Sequence, residues 1–152
     1  MGDDENEQGD LDRELIEFLN ELRVALPGVQ VLFAFLLAVP FANGWEKVDE
    51  SQKYAFMVAL LAAALGTVLL IAPTTYHRLR WREHDKEQLL QTSNRLALAG
   101  TGCLAIGMTA AVYLVTDTVF GATVSAIVTV ALAVVFAWFW YGLPLRRRAE
   151  RT

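Results

Sequence analysis

Two histidines and two carboxylates lie close together in one polar segment, and these residue types bind metal ions. His77 and His84 are seven positions apart and would share a face of a helix, with Glu83 and Asp85 beside the second histidine. Zinc sites on helices usually pair histidines four positions apart or include cysteines, and this segment has neither feature. The spacing therefore predicts surface or interfacial histidines, with no metal site and no cofactor.

A single cysteine, Cys103, stands among small apolar residues. It has no partner for an intramolecular disulfide, and a thiol in apolar surroundings is inert. Intramembrane proteases and acyl transferases need a nucleophile beside a base. The apolar stretches around Cys103 and elsewhere contain no such pair, so the sequence predicts a protein that is not an enzyme.

Four long stretches of the sequence contain no charged residue, while all 13 Lys and Arg and all 17 Asp and Glu lie outside them. A helix of about 20 apolar residues crosses a hydrocarbon core of roughly 30 Å. Soluble domains, secreted disulfide scaffolds and disordered chains do not have this distribution. We predict an all-α integral membrane protein, a four-helix bundle within residues 24–145. Its predicted spans are 24–42, 54–76, 96–116 and 118–145, with a tight turn at 116–118.

The segments outside the spans differ in charge. Residues 1–10 are acidic and lack apolar anchors, so we expect a disordered tail. In residues 11–23 apolar residues recur at helical spacing, which predicts a short N-terminal amphipathic helix on the cytoplasmic surface. Residues 146–152 form a basic cytoplasmic tail. Basic clusters beside a span usually meet lipid headgroups, so no nucleic-acid partner is predicted.

Lysine and arginine are distributed unequally between the two sides that the spans define. Only Lys47 and Lys53 fall on the side of the first loop, and the other basic residues fall on the side of the termini and the loop 77–95. Cytoplasmic segments carry the excess of basic residues. We therefore predict a multi-pass plasma-membrane protein whose N-terminus and C-terminus are both cytoplasmic.

The spans also lack the groups that ion-coupled transport uses. Protons and cations cross membranes with the help of ionisable side chains, and none of the four spans contains Asp, Glu, Lys, Arg or His. The nearest such residues are Glu21 and Arg23 at the inner edge of the first span and Asp117 at the outer turn. This composition argues against antiport chemistry within one subunit.

Small residues recur every four positions in three of the spans, which lets helices approach closely in a membrane. Such stripes either pack a single four-helix bundle or form the interface of a homo-oligomer, and the sequence leaves both open. A second copy or another membrane protein is thus a candidate partner besides the lipid bilayer. The predicted helix-packing residues are Ala62 and Gly66, then Ala99, Cys103, Gly107 and Ala111, then Gly121, Ser125, Thr129 and Ala133.

Several short motifs stand in and beside the first three spans: ELRV at 21–24, PGVQ at 27–30, FAFL at 33–36, PF at 40–41, AP at 72–73, HR at 77–78 and NR at 94–95. Together they resemble a family of small bacterial, largely actinobacterial, membrane proteins that is catalogued as a domain of unknown function. The resemblance covers about residues 14–145 and implies a four-span protein of the bacterial inner membrane. Some members of that family carry a sodium/proton antiporter label.

The polar residues of these motifs would meet at the cytoplasmic ends of the first three helices. A network there would fix helix register or bind a lipid headgroup or a partner, while interface anchoring and helix capping are the alternative. The sequence favours a structural or accessory subunit, with a transporter or ion-exchange component, acting as an oligomer, as the alternative. The candidate network consists of Glu21, Arg23, Gln30, His77, Arg78, Asn94 and Arg95.

Overall fold

The computed structural model describes residues 2–79 and 86–142, with side chains for residues 13, 16–17, 20–75 and 91–142. Over these ranges the protein forms helices and turns without a β-strand, which confirms the all-α prediction. Short 3₁₀ turns at Val39–Phe41 and Trp45–Lys47 connect the first two helices, and a π-helical segment, Ala137–Gly142, ends the fourth. The four main helices are α1 (Gly2–Ala38), α2 (Glu50–Leu79), α3 (Lys86–Phe120) and α4 (Ala122–Phe136).

Four segments are long and apolar enough to cross a membrane; the first continues from α1 into the 3₁₀ turn that follows it, and the fourth continues from α4 into the π-helical segment. This supports the prediction of a four-helix membrane protein, since each segment exceeds the roughly 17 residues that a spanning helix needs at minimum. Residues 143–145 of the predicted fourth span, and the basic tail 146–152, lie outside the described residues. The segments are Asn20–Phe41, Glu50–Thr75, Gln91–Phe120 and Ala122–Gly142.

The N-terminal region differs from the predicted division into a tail, an amphipathic helix and a span. Residues 2–10, for which we expected disorder, are the start of α1, which continues without a break to Ala38. Acidic residues near the N-terminus of a helix are in general favourable, because that end of the helix dipole is positive. Leu22 belongs to the amphipathic pattern in residues 11–23. Its side chain is among those that the structure describes, and it is buried.

The turn between α3 and α4 is at Gly121, a few residues after the predicted position. Asp117 belongs to α3, and its carbonyl oxygen accepts the amide N–H of Gly121 at 3.0 Å. The hydroxyl of Thr118 donates to the carbonyl oxygen of Leu114 at 2.7 Å, so it also continues the helix. Gly121 has φ +80°, a left-handed conformation that glycine adopts at little cost. The turn therefore lies at Gly121, the residue with a positive φ, and not at the charged residue Asp117.

The α2–α3 pair is the centre of the bundle, because small residues let the two backbones approach closely. A Cβ atom on Gly66 would lie 3.2 Å from the carbonyl oxygen of Gly100, and one on Gly107 would lie 3.3 Å from that of Ala59. Such close approach is how membrane helices gain packing energy.

The outer helices attach to this pair unequally. α1 packs on α2 and, less extensively, on α3, whereas α4 packs on α3 and has no comparable contact with α1 or α2 in the described ranges. Two apolar clusters connect α1, α2 and α3. The first contains Leu36, Phe56, Ala59, Ala63 and Leu114, and the second contains Leu22, Val29, Leu70 and Ala97.

Candidate functional site

The predicted polar network is distributed around the end of the bundle where Leu22, Val29, Leu70 and Ala97 pack together. His77 and Arg78 lie in the last turn of α2, and their side chains lie outside the described ones. The other five residues are exposed, and no hydrogen bond or ion pair joins any of these described side chains to another. The network therefore stays a prediction. These five are Glu21, Arg23, Gln30, Asn94 and Arg95.

A polar cluster does form at the opposite end of the bundle, which we call the hairpin end because it carries the α1–α2 loop and the turn at Gly121. Asp49 caps α2: its Oδ1 accepts the backbone N–H of Gln52 and the hydroxyl of Ser51, each at 2.8 Å. In return, Oε1 of Gln52 accepts the backbone N–H of Asp49 at 3.1 Å. This reciprocal pair is a capping box, which satisfies helix donors that otherwise lack a partner.

Gln52 also connects the capping box to α3. Gln52 is buried, with 8 % of its surface exposed, and its Nε2 donates to Oδ2 of Asp117 at 2.8 Å. The two residues are 65 positions apart in the sequence, so the bond links the start of α2 to the end of α3. We call Asp49, Gln52 and Asp117 the polar clasp. The spacing of an aspartate at 49 and a glutamine at 52 could have predicted its capping half.

The capping geometry sets the charge state of Asp49. The backbone N–H of Gln52, followed by the hydroxyl of Ser51, holds the pKa of the Asp49 carboxyl below 3.8, its ordinary value. Both donors stabilise the carboxylate form, and the positive charge of Lys53 acts in the same direction. The clasp is therefore anionic at neutral pH, on the side where only two basic residues lie.

Protonation of Asp49 is expected to weaken the cap, so acid should lower stability through this residue. Because its folded-state pKa is depressed, the contribution is complete above pH of about 4 and is lost as the pH falls through the lowered value. Melting curves of wild type and Asp49→Asn between about pH 6 and pH 3 test this. The variant keeps an acceptor oxygen and should lack this acid-dependent loss; an identical decline in both proteins would refute the assignment.

An apolar groove of about 590 Å³ runs between α3 and α4, with Ala55 and Val58 of α2 at one edge. Its α3 side includes Gly102, Ala105 and Tyr113, and no charged side chain lines it. On α4 and the π-helical segment, the groove is lined by small and aromatic residues. They are Thr129, Ala133, Phe136, Ala137 and Tyr141.

The π-helical segment contributes Ala137 and Tyr141 to the lining of this groove. The hydroxyl of Tyr141 donates to the carbonyl oxygen of Leu98 on α3 at 3.1 Å. A Cβ atom on Gly102 would lie 2.9 Å from that hydroxyl, so a glycine here leaves room for the tyrosine. The rings of Phe136 and Trp140 pack together beside it, with ring centroids 4.9 Å apart. Single π-helical turns often occur at functional sites.

Two hydroxyls of α4 lack a hydrogen-bond partner. Several threonines of the other spans donate to the carbonyl oxygen one turn earlier, as Thr67 does to Ala63 and Thr109 does to Ala105. By contrast, Oγ of Ser125 and Oγ1 of Thr129 are buried and unpartnered. Ser125 is completely buried, and because α4 packs on α3, it faces that helix.

The predicted helix-packing residues do not share one surface. Ala62, Gly66, Cys103 and Gly107 meet where α2 contacts α3. Ala111 packs beside the first apolar cluster, Ser125 is the buried residue of α4, and Ala99 is exposed. Gly121 makes the turn, while Thr129 and Ala133 line the groove. Whether any of them serves a homo-oligomer stays a prediction.

Among the described residues, no three His, Cys, Asp or Glu side chains form a group that could hold a metal ion. His84, Glu83 and Asp85 lie outside these residues. The prediction that this segment binds no metal is therefore not tested by the structure.

Comparison with known proteins identifies a family. Neither a curated protein nor a solved structure is significantly similar to the chain. A family model described as a family of unknown function (DUF6328) matches residues 4–144, which is nearly the whole sequence and includes the clasp and the groove. The chain therefore belongs to the family of unknown function DUF6328.

Proposed function

We propose that this membrane protein has no enzymatic activity and serves as a structural or accessory subunit, which associates with another helical membrane protein through α4. The observation that carries the proposal is the exposure of α4. Within the described ranges this helix packs on α3 alone among the long helices, and among its 15 residues only Ser125 is buried. A partner helix would supply the contacts that α4 lacks within its own subunit.

The surface that α4 offers has the shape that helix association needs. Ile127, Val130 and Val134 follow one another at helical spacing and are each more than 60 % exposed. In a membrane, helices associate by van der Waals packing, and a ridge of branched side chains fits a groove of small residues on a neighbour. The partner is either a second copy of this protein or a different membrane protein.

The proposal places the protein in the bacterial plasma membrane with both termini in the cytoplasm. The distribution of Lys and Arg supports this orientation, because the hairpin end has only Lys47 and Lys53 nearby. Trp45 and Tyr54 also lie at the hairpin end, where aromatic residues would sit at headgroup level.

Photo-crosslinking in intact membranes tests the role of α4. A photoreactive amino acid at Val130 is expected to give one protein adduct of defined size, either a dimer or a complex with one other protein. The matched control is Leu61 on α2, which is exposed to a similar extent, 59 % against 63 %. It should react with lipid only. The same set of protein adducts from both positions would contradict the proposal.

If the protein is instead a transporter or a sodium/proton exchange component, a flux measurement should show it. Purified protein in proteoliposomes would then move sodium ions or protons at a rate that changes between two pH values. The ionisable residues at the membrane edges, Glu21 and Asp117, would have to carry that flux. Flux that disappears on substitution of either residue would overturn the accessory role.

A further inference from the structure

We propose that α4 has two positions on α3: it turns about Gly121, and a hydrogen bond from Tyr141 to Leu98 holds its far end in the first position. We call this bond the latch. With the latch made, α4 lies as the structure has it; with the latch broken, the π-helical segment moves away from α3. This goes beyond the accessory role, because it concerns a movement within one subunit and does not require a partner.

Gly121 has the properties of a hinge. It is the single residue between α3, which ends at Phe120, and α4, which begins at Ala122. Glycine tolerates a wide range of backbone angles, and a Cβ atom here would have no other heavy atom within 4 Å, so a change in these angles is not blocked locally. The end of α3 is fixed, because Asp117 is bonded to Gln52 of α2. A change at Gly121 therefore moves α4 and leaves the α2–α3 pair in place.

The latch uses an acceptor that other donors share. The carbonyl oxygen of Leu98 accepts the hydroxyl of Tyr141 at 3.1 Å and also the hydroxyl of Thr101 at 2.9 Å. Within an α-helix the same oxygen is the acceptor for the amide N–H four residues later, which belongs to Gly102. A carbonyl oxygen has two lone pairs, so three donors compete for it. The latch is therefore a bond that breaks at little cost.

Two buried hydroxyls on α4 oppose the latched position. Oγ of Ser125 and Oγ1 of Thr129 are buried without a hydrogen-bond partner, which is unfavourable away from water. Among the long helices α4 packs on α3 alone in the described ranges, so contact with α3 buries these two groups. When α4 moves away, each side chain has room to turn and to donate to the carbonyl oxygen one turn earlier, as Thr109 does to Ala105. The second position thus gains hydrogen bonds that offset the loss of the latch.

The groove between α3 and α4 indicates that little close packing opposes the movement. It leaves about 590 Å³ between the two helices, whereas the α2–α3 pair is in close backbone contact at Gly66 and Gly107. Helices in a membrane are held together by van der Waals packing, so the pair with the closer contact is the more rigid one. This difference makes α4 the helix that moves, with the α2–α3 pair as its fixed support.

Distances between pairs of spin labels test the movement. The full-length protein with Cys103→Ala is labelled at two engineered cysteines, diluted with unlabelled protein so that only distances within one subunit are measured, and reconstituted in phosphatidylcholine vesicles. The far-end pair joins Val68 of α2 to Phe139, and the hinge-end pair joins Tyr54 of α2 to Val124 of α4; all four side chains are exposed. Double electron–electron resonance should give a second, longer distance for the far-end pair and a single distance for the hinge-end pair.

Variants at the latch and at the buried hydroxyls should shift the two populations in opposite directions. Tyr141→Phe removes only the donor of the latch and should raise the ratio of the longer to the shorter distance by roughly two- to tenfold. Its matched control is Thr101→Val, which removes a competing donor from the same oxygen and should lower this ratio or leave it unchanged. Thr129→Val keeps the shape of the side chain but removes an unpartnered hydroxyl, so it should lower the ratio.

Three results would overturn the proposal. The first is a far-end distribution in Tyr141→Phe that is identical to that of wild type, because the bond to Leu98 would then hold nothing in place. The second is equal broadening of the far-end and hinge-end pairs, which would mean that α4 detaches as a whole and does not turn about Gly121. The third is a ratio that Thr129→Val leaves unchanged or raises, and this result decides the question if Tyr141→Phe fails to fold.

Discussion

Replacement of Gly107 by leucine is expected to separate α2 from α3 and to cause the largest loss of stability in the bundle. A Cβ atom at this position would lie 3.3 Å from the carbonyl oxygen of Ala59 and 3.4 Å from the backbone nitrogen of Ala63. Both atoms are backbone, so no side-chain rotation can relieve the contact. Overpacking of this kind costs about 1–3 kcal/mol, and more where the backbone must move. Unfolding in mixed micelles, followed by circular dichroism, measures the loss.

Gly28 provides the matched control for this substitution. It also lies within a helix, α1, but a Cβ atom there would have no other heavy atom within 4 Å. Leucine at this position should leave stability unchanged or raise it, because glycine is about 0.8–1 kcal/mol less favourable than the best helix formers. Equal destabilisation by Gly28→Leu and Gly107→Leu would show that helix propensity or hydrophobicity, and not close packing of α2 on α3, determines the effect.

The spacing of small residues predicted close helix contact but not which helices would meet. Gly66, Cys103 and Gly107 belong to stripes on two different spans, and the structure brings them together between α2 and α3. The stripe on α4 looks equivalent in the sequence, yet Ser125 is buried and Ala133 lines an open groove. A period of four identifies a helix face, whereas the neighbour of that face depends on the tertiary arrangement.

The number of spans was predictable because a charge within the hydrocarbon core is costly, so charged residues mark the span limits. The ends of the helices were less predictable. An acidic segment is compatible with a disordered tail and with a helix N-terminus, and residues 2–10 take the second form. Similarly, Asp117 can cap a helix or continue one, and the conformation of Gly121 decides where the turn falls.

For the candidate sites, too, the sequence indicates contacts between neighbouring residues but not contacts between residues far apart in the chain. The cytoplasmic residues, among them Glu21 and Arg95, carry recognisable motifs, but their described side chains form no bonds with one another. Only part of the polar clasp can be predicted from the sequence. The spacing of Asp49 and Gln52 indicates a capping box, whereas the bond to Asp117 depends on how α2 packs on α3. The groove depends on how α4 packs on α3, which no residue pattern in the sequence predicts.

Removal of the bond between Gln52 and Asp117 is expected to produce the second large effect. Hydrogen bonds to charged groups contribute about 1.5–3 kcal/mol, and a buried donor that loses its acceptor adds a desolvation cost. Asp117→Ala leaves Nε2 of the buried Gln52 without its acceptor, so the variant should unfold at a clearly lower detergent concentration than wild type. Ser51→Ala, which removes only an exposed hydroxyl bond at the same end, should have a much smaller effect.

A double-mutant cycle distinguishes this bond from the other roles of the two residues. Gln52→Ala also removes the acceptor for the Asp49 N–H, and Asp117→Ala changes the last turn of α3, so each single variant measures more than one interaction. Each single variant loses the bond between the two side chains, and the double variant loses the same bond only once. The two single losses of stability should therefore sum to more than the loss in the double variant, and this difference, the coupling energy, should be at least about 1 kcal/mol. Effects that simply add would show that the two side chains act independently. Coupling, in contrast, means that the capping of α2 and the end of α3 form one unit, which holds the hairpin end together while α4 stays available to a partner.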